Sequence, residues 1–340
     1  MGKLRLLKRR HLARADRRSS MSLQLWALPM LLVSSSCAGE TEYSSATLEP
    51  DGTFSTELAG SAVDGAVYQA GSVAKYACTI LALRFVDQGR LDLDQTLAAT
   101  FPEEQLGKAG TVTVANLLAN RSGLRDGLSP AIEADMSAVM EMSDSLDAMK
   151  DFAAGELSAA PGTTYSYDLV NWIAVQAVLE QVGGRPIDNL LTAEVLRRAG
   201  MENSYVFDRE LGPDSQPPVT KAMPMPNFLK CAGGVASRPQ DLVAMLRFVH
   251  RGGLSRSALA TLMQVRTPEE NYSLGGRFER IDGRLIDWKT GSNGPYKSVV
   301  VYDPQSDQGF AAMTATDDWT TIERLRDEWL SDLSATDGSR

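Results

Sequence analysis

Histidine and cysteine are the scarcest reactive residues of this 340-residue chain, with two and three copies. His11 stands in the basic leader described below, so His250 alone is left for a catalytic or metal site. Zinc sites take their ligands mainly from Cys and His, and we therefore expect no metal and no other cofactor. A Ser-His-Asp hydrolase is also disfavoured. No Gly-x-Ser-x-Gly elbow occurs, and His250 ends a predicted helix, where a cation interacts favourably with the helix dipole.

Disulfide frameworks and membrane spans find little support either. Beyond Cys37 only Cys78 and Cys231 remain, too few for a disulfide framework in a domain of this size, and neither belongs to a Cys-x-x-Cys pair. The uncharged apolar stretch at 23–33 has about eleven residues, whereas a helix that spans a bilayer needs about twenty.

The first 38 residues have the order of a secretory signal peptide. They carry eight Lys or Arg against one Asp, then the apolar stretch, then the small residues Ser36 and Ala38 that a signal peptidase prefers. We therefore predict an exported protein, either periplasmic or secreted. Lipid attachment at Cys37 is the alternative, although Ser34 stands where a lipoprotein signal usually has Leu. Only this lipid would give the protein a membrane partner.

The rest of the chain is strongly acidic. The formal net charge is −9, and residues 1–38 contribute +7, so the remainder carries −16 and contains no cluster of Lys or Arg. Nucleic acid and anionic membrane surfaces are therefore not expected as partners. A small-molecule substrate fits this composition better.

The hydrophobic pattern predicts strands near both ends of the chain and helices between them. Residues 46–67 predict a hairpin that turns at Asp51-Gly52, and residues 72–86 have apolar side chains at helical spacing, with Gly89 as the helix C-cap. Further helices are predicted at 114–118, 169–182, 190–199, 240–250 and 319–333, and further strands at 284–289, 298–302 and 309–314.

This pattern predicts an α/β (α+β) fold, with a mostly antiparallel sheet that is built from both chain ends and flanked by helices. Residues 43–90 and 270–340 would form the sheet domain, and residues 91–269 a mainly helical inserted domain. Together they would make one catalytic unit, with the site in the cleft between them.

Ser72 and Lys75 open the helix predicted at 72–86 and give the first chemical signal. Residues i and i+3 lie on one face of a helix, so hydroxyl and amine can come within hydrogen-bond distance. Free N–H groups and the positive dipole end at a helix start stabilise an oxyanion. The chain has 25 Arg against 9 Lys, and only Lys can lose its proton and act as a base. The alternative is an N-capping Ser beside an exposed Lys.

Two later segments add to this signal. Tyr167 follows Pro161-Gly162-Thr163 and precedes a helical run, so its phenol stands at a loop-to-helix junction unless it is simply buried there. Lys289-Thr290-Gly291 ends a predicted strand whose edge can lie beside a bound acyl group. Lys289 would then meet a substrate carboxylate, and the next backbone N–H would donate to the oxyanion. The alternative for Lys289 is a charge on an edge strand.

In this order, Ser-x-x-Lys, Tyr and Lys-Thr-Gly, the sequence resembles the serine β-lactamase and penicillin-binding peptidase family. It is most similar in pattern to the branch of class C β-lactamases, D-peptidases and family VIII-type carboxylesterases. Residues 113–118 and 122–124 resemble the family's segment after the nucleophile helix, and residues 232–237 its Gly-Gly stretch before a helix. The resemblance extends from Gln69 to Asp318 and implies a β-lactamase/transpeptidase-like fold.

The resemblance also implies the roles of the motif residues. Ser72 would be acylated, and Lys75 and Tyr167 would share proton transfer. The backbone N–H groups of Ser72 and Ser292 would form the oxyanion hole, and Lys289 would bind a carboxylate or tune Tyr167. The substrate-binding and oxyanion residues that it implies are Lys289, Thr290, Gly291 and Ser292.

Leu169 departs from the family pattern, because many members have Tyr-x-Asn where this chain has Tyr167-Asp168-Leu169. The amide that commonly contacts a β-lactam side chain is therefore absent, and Asn171 is turned to another helix face. Leu169 resembles some esterases of the branch, whereas Lys289 resembles β-lactamases and peptidases. We expect a serine hydrolase that cleaves small esters or amides through an acyl-enzyme and is esterase-like. The alternatives are a β-lactamase, a D-Ala-D-Ala peptidase and a non-catalytic penicillin-binding-like protein.

Overall fold

Strands from both ends of the chain pair into one sheet in this computed structural model, which describes residues 41–337. Six strands form an antiparallel sheet in the order β2-β1-β9-β8-β7-β6, and three short ones form a second sheet, β3-β5-β4. The strands are β1 (Tyr43–Leu48), β2 (Phe54–Ala59), β3 (Tyr68–Gln69), β4 (Tyr205–Val206), β5 (Val235–Ser237), β6 (Arg277–Ile281), β7 (Arg284–Asn293), β8 (Tyr296–Asp303) and β9 (Gln308–Thr314). The large sheet confirms the fold class predicted from sequence; the second sheet was not predicted.

Helices fill most of the described chain between β3 and β6. The α-helices are α1 (Val73–Asp87), α2 (Leu97–Thr100), α3 (Val114–Leu118), α4 (Leu128–Glu141), α5 (Ser145–Phe152), α6 (Leu169–Gly183), α7 (Ile187–Leu191), α8 (Lys230–Gly233), α9 (Pro239–Phe248), α10 (Arg256–Met263) and α11 (Trp319–Asp337). The helices predicted at 190–199 and 240–250 each contain a π-helical turn, at Thr192–Leu196 and Val249–Gly253.

The central strand β8 is buried along its whole length because helices cover both faces of the sheet. On one face, Val299 and Val301 share a hydrophobic cluster with Ile322 of α11. On the other face, Val300 belongs to the main core together with Leu246 of α9. This two-sided burial explains why β8 reads as a nearly continuous apolar run rather than an alternating one.

The helix α1 lies in the interior, with twelve of its fifteen residues buried. It contacts α6, α8 and α10 as well as β7, so it is apolar on every side and not only on one face. Gly89 follows it with a φ of +67°, the left-handed conformation that ends helices, as the sequence predicted. A helix held on all sides gives a rigid support for the side chains at its N-terminus.

A disulfide joins Cys78 of α1 to Cys231 of α8 across 153 residues of sequence. The two cysteines were too few to predict a disulfide framework, and the single bond that they form was not anticipated. Both side chains are fully buried. The bond therefore fixes α1 to the segment that leads into β5.

The leader predicted at 1–38, with Cys37, lies outside the described residues. Residues 41–337 belong to a single compact unit, and the division into a sheet domain and an inserted helical domain stays a prediction. None of the helices in residues 41–337 combines the length and the apolar character needed to cross a membrane.

Candidate active site

Ser72 stands directly before the first residue of α1. Its side chain makes no capping hydrogen bond; instead, Lys75 Nζ donates to Ser72 Oγ at 3.1 Å. The preceding Gly71 has a φ of +52°, which a glycine adopts without strain. The geometry disfavours the alternative of an N-capping serine and leaves the hydroxyl paired with the amine one turn away.

Lys75 is buried, with 2% of its surface exposed, which also excludes the alternative of an exposed lysine. Its Nζ donates to the Ala232 carbonyl at 2.8 Å and lies 5.0 Å from the centre of the Tyr167 ring. Among the described residues, no carboxylate forms an ion pair or hydrogen bond with it. Burial lowers the pKa of Lys75, although Tyr167 opposes the shift. This environment favours a neutral amine, which is what a general base requires.

Tyr167 lies in the loop that leads into α6, as predicted, and it is 42% exposed. Its ring packs edge-on against buried Tyr272, with centroids 6.1 Å apart. Trp172, one turn into α6, donates from its indole to Asn120 Oδ1 at 3.0 Å and anchors this end of the helix. The phenol is thus supported from the protein side and open on the solvent side, where a substrate would arrive.

The edge of β7 lies against the start of α1. A Cβ built on Gly71 would clash with the backbone nitrogen of Ser292, and one on Gly291 would clash with the carbonyl oxygen of Ala70. Only glycine permits this approach at either position. Beyond Trp288, β7 has no pairing with β6, so this edge of the strand is free. The backbone N–H of Ser292 therefore comes next to the turn that carries Ser72, as an oxyanion hole requires.

Lys289 and Thr290 precede this contact on the same strand. Thr290 is half-buried, whereas Lys289 is 3% exposed, and its ammonium contacts the carboxylate of Asp287. Lys289 Nζ also donates to the Arg277 carbonyl at 3.1 Å and lies 4.1 Å from the centre of the Tyr76 ring. These contacts place Lys289 in the interior beside α1. Its predicted roles toward a substrate carboxylate and toward Tyr167 stay predictions.

Asp287 is the centre of a buried polar cluster. Besides Lys289, the Tyr76 hydroxyl donates to it at 2.8 Å, and His250 Nε2 lies 2.9 Å from its Oδ2. Burial alone would raise the pKa of Asp287, but Lys289 and His250 outweigh it and hold the pKa below its ordinary value. His250 therefore has a specific carboxylate partner, which its position at a helix end did not suggest.

Leu169 begins α6, close in sequence to Tyr167, and is 40% exposed. The site therefore presents an apolar side chain at the position where many family members have the amide of Asn. Asn171 is buried at 2%; its amide donates to the carbonyl oxygens of Ser166 and Asp168, and its Oδ1 accepts from Ser122. As expected, Asn171 does not replace the missing amide.

A cavity of about 170 Å³ is lined in part by Gln69, Met223 and Tyr296. Asn293, at the end of β7, donates to the Met223 carbonyl at 3.0 Å and to Gln69, so this cavity lies near the end of β7. Neither this cavity nor the one of about 440 Å³ between α5 and α6 is lined by a predicted site residue.

Sequence reasoning missed three groups that the fold brings to the site. Ala232 was recognised only as part of a Gly-Gly stretch. Its carbonyl is a backbone acceptor, so no residue type in the sequence indicates that it accepts from Lys75. Asp287 did have a signal, since residues two apart on a strand face the same side and Asp-x-Lys therefore predicts a pair. Cys78 and Cys231 are brought together by tertiary packing alone. The described residues contain no cluster of three or more metal-binding side chains.

Comparison with known proteins identifies the relatives of this chain. The family described as Beta-lactamase matches residues 55–333. A D-stereospecific amidohydrolase from Streptomyces sp. is 20% identical and superposes with a TM-score of 0.72, over 82% of this chain and 90% of the other. A penicillin binding protein from Bacillus halodurans is 17% identical with a TM-score of 0.72, over 84% and 95%. The D-amino acid amidase from Ochrobactrum anthropi SV3 is 19% identical with a TM-score of 0.71, over 88% and 96%. At these identities the structures show a shared fold.

Proposed function

The chain belongs to the β-lactamase family of serine hydrolases, and on that premise we propose that it cleaves small esters or amides through an acyl-enzyme on Ser72. One observation carries the proposal. The amine of Lys75 is buried without a carboxylate partner among the described residues, has a lowered pKa, and bonds to Ser72 Oγ at 3.1 Å. A buried amine kept for structure alone would be expected to have a counter-ion.

In this mechanism neutral Lys75 accepts the proton of the Ser72 hydroxyl while Oγ bonds to the substrate carbonyl carbon. The charge that develops on the carbonyl oxygen is stabilised by the backbone N–H groups of Ser72 and Ser292. Lys75, directly or through Tyr167, then returns the proton to the departing alcohol or amine. Water attacks the acyl-Ser72 ester and loses a proton to the same groups, which pass it to Ser72 Oγ as the bond from Oγ to the acyl carbon breaks and the acid leaves.

Leu169 supports a preference for esters within this scheme. It is 40% exposed at the start of α6 and offers no hydrogen bond to a substrate amide. Esters expel their leaving group more easily than amides and depend less on such a partner. We therefore propose an esterase-like activity.

Amide hydrolysis is the second candidate, and the fold relatives support it. Two of them are a D-stereospecific amidohydrolase and a D-amino acid amidase. A D-amino acid amide carries an α-amino group, whose positive charge is compatible with the acidic chain. β-Lactamase activity, D-Ala-D-Ala peptidase activity and penicillin binding without turnover are less favoured by the apolar surface at Leu169. The basic and apolar leader supports the further proposal that the enzyme is exported.

The proposal is tested by labelling and by a substrate panel. Purified protein without its leader is treated with a fluorescent phosphonate, then assayed with short-chain nitrophenyl esters, D-amino acid amides, D-Ala-D-Ala peptides and a chromogenic cephalosporin. Ser72→Ala is expected to lose labelling and to lose at least about a thousandfold in kcat, with an unchanged circular dichroism spectrum. If the variant keeps more than a few per cent of the activity, Ser72 is not the nucleophile.

A further inference from the structure

The two lysines of the β7–β8 hairpin are each held by a carboxylate, and this bears on the substrate that the hairpin can accept. Lys289 contacts Asp287, and Lys297 lies 2.5 Å from Asp317 Oδ1. The two lysine side chains are 2% and 5% exposed, so neither ammonium reaches freely into solvent. Both positive charges are neutralised within the fold.

Lys289 has its hydrogen-bonding capacity filled by protein groups. It donates to Asp287 Oδ1 and to the Arg277 carbonyl, and its ammonium lies over the Tyr76 and Phe278 rings at 4.1 and 4.5 Å. To bind a substrate carboxylate, it would have to leave ionised Asp287 deprived of its main partner in the interior. Separation of a buried ion pair in this way is strongly unfavourable.

Lys297 is the strand partner of Ser292, whose backbone N–H is the predicted oxyanion donor. It faces Ser292 across the β7–β8 ladder and donates to Ser292 Oγ at 3.0 Å, to the Gly294 carbonyl and to Asp317. An unpaired ammonium there would attract a carboxylate on the substrate. Asp317 is 69% exposed, so on the solvent side this corner of the site presents a negative charge instead.

The loop that carries Tyr167 adds to this charge. Asp168 follows Tyr167 directly, and its carboxylate accepts from the Ser166 hydroxyl and from no cation among the described residues. A substrate carboxylate beside the scissile bond would therefore find the Asp168 carboxylate on this loop and no unpaired lysine on the β7–β8 hairpin. Repulsion between like charges is a common source of substrate discrimination.

We propose that Asp287 and Asp317 determine specificity by neutralising Lys289 and Lys297, so that the enzyme selects substrates without a carboxylate beside the scissile bond. This inference rests on the proposed acyl-enzyme hydrolysis and defines its substrate class as neutral or cationic esters and amides. It reverses the role that the Lys-Thr-Gly motif suggested for Lys289.

The test uses two esters of the same acid, whose phenol leaving groups carry either a meta-carboxylate or a meta-carboxamide. The two groups are nearly equal in size, and division of each rate by the spontaneous hydrolysis rate of that ester corrects for leaving-group reactivity. In the wild type, kcat/KM is expected to favour the carboxamide ester by at least about fivefold. A smaller ratio, or a preference for the carboxylate, overturns the inference.

Variants test whether the two carboxylates are responsible. Asp317→Asn is expected to lower KM for the carboxylate ester at least about threefold, with kcat and the carboxamide ester changed less than about twofold. Glu323→Gln is the matched control, because it removes one charge from the exposed side of α11 without contacting Lys297, and it should change neither ester. Asp287→Asn is expected to act in the same direction as Asp317→Asn. The role of the two carboxylates is overturned if the ratio of kcat/KM between the carboxamide and carboxylate esters is unchanged both in Asp317→Asn and in folded Asp287→Asn.

The outcomes separate this inference from the proposed function. If the phosphonate does not label Ser72 and neither ester is cleaved, both fail. If the phosphonate labels the protein and the esters are cleaved with a ratio below fivefold, only the substrate class fails. Labelling without cleavage of the carboxamide ester also overturns the substrate class, since that ester is the predicted substrate.

Discussion

Cys78 is bonded to Cys231, one residue before the Ala232 carbonyl that accepts a hydrogen bond from Lys75. Cys78 follows Lys75 by three residues on α1. The disulfide therefore joins the helix that carries the Lys75 amine to α8, which carries the carbonyl that accepts from it. The bond therefore holds the Ala232 carbonyl beside Lys75.

We predict that the double variant Cys78→Ala/Cys231→Ala loses both stability and rate. The bond closes a long loop, and removal of a native disulfide typically costs about 2–5 kcal/mol. A shifted Ala232 carbonyl should lower kcat about tenfold or more, since small displacements of a catalytic group have large effects. Urea unfolding measures the loss of stability, and ester hydrolysis well below the melting temperature measures kcat. A destabilised variant with wild-type kcat would show that the bond serves the fold alone.

Lys75→Arg is predicted to be nearly as damaging as Lys75→Ala. Arg retains the positive charge but cannot lose its proton at usable pH, so the base would be absent in both variants. We expect kcat/KM to fall by at least about a hundredfold in each. The matched control is Lys108→Arg at an exposed ion pair with Glu156, which should leave the rate unchanged. A near-wild-type rate in Lys75→Arg would mean that only a positive charge is required.

The pH dependence of kcat/KM should report the lowered pKa of Lys75. The active form needs the neutral amine, so the rate should rise with pH through the pKa of Lys75, with a midpoint below the ordinary lysine pKa. The measurement uses an ester without ionisable groups. A rate that falls as the pH rises through this range would contradict a neutral base and indicate that the ammonium form is active.

The same shift affects stability with a definite sign. The folded pKa of Lys75 lies below the unfolded one, so at pH values under the unfolded pKa the unfolded state binds more protons. The contribution of Lys75 to the free energy of unfolding therefore increases with pH between the two pKa values. Lys75→Met should remove this increase, which urea unfolding at several pH values would detect.

Ser72 and Lys75 show how much of the site the sequence contains. Helical spacing and the start of an apolar run were enough to place both side chains on one face of α1, and the structure brings them to 3.1 Å. The sheet from both chain ends also followed from local patterns, because β8 and β9 are strongly apolar. Local signals were sufficient to predict these strands, although β1 and β9 pair from opposite ends of the chain.

Lys289 and Cys231 show where local signals end. The Lys-Thr-Gly motif predicts a strand edge and Asp-x-Lys predicts the pair with Asp287, but the burial of this pair beside Tyr76 depends on packing against α1. Cys78 and Cys231 are 153 residues apart, and only the packing of α1 on α8 brings them together. The length of β7 was also underestimated, since its last residues form the hairpin with β8 and are not apolar.

The final prediction concerns the preference between esters and β-lactams. Leu169 offers no hydrogen bond to the amide side chain of a β-lactam, and a site without such a partner gains little from substrates that carry one. Lys289 was the one feature that favoured cephalosporins, through their carboxylate. Its contact with Asp287 weakens that argument, since the ammonium already has a buried counter-ion.

We therefore expect short-chain ester hydrolysis to exceed cephalosporin hydrolysis in kcat/KM by at least about tenfold, or roughly 1.4 kcal/mol of differential transition-state binding. Both rates are to be measured on the same purified protein. Leu169→Asn provides the variant: it restores the amide at the start of α6 and should raise cephalosporin turnover while leaving the ester rate within about twofold. Because Leu169 is exposed, this change should leave the fold intact. A cephalosporin rate equal to the ester rate in the wild type would instead favour a β-lactamase or peptidase.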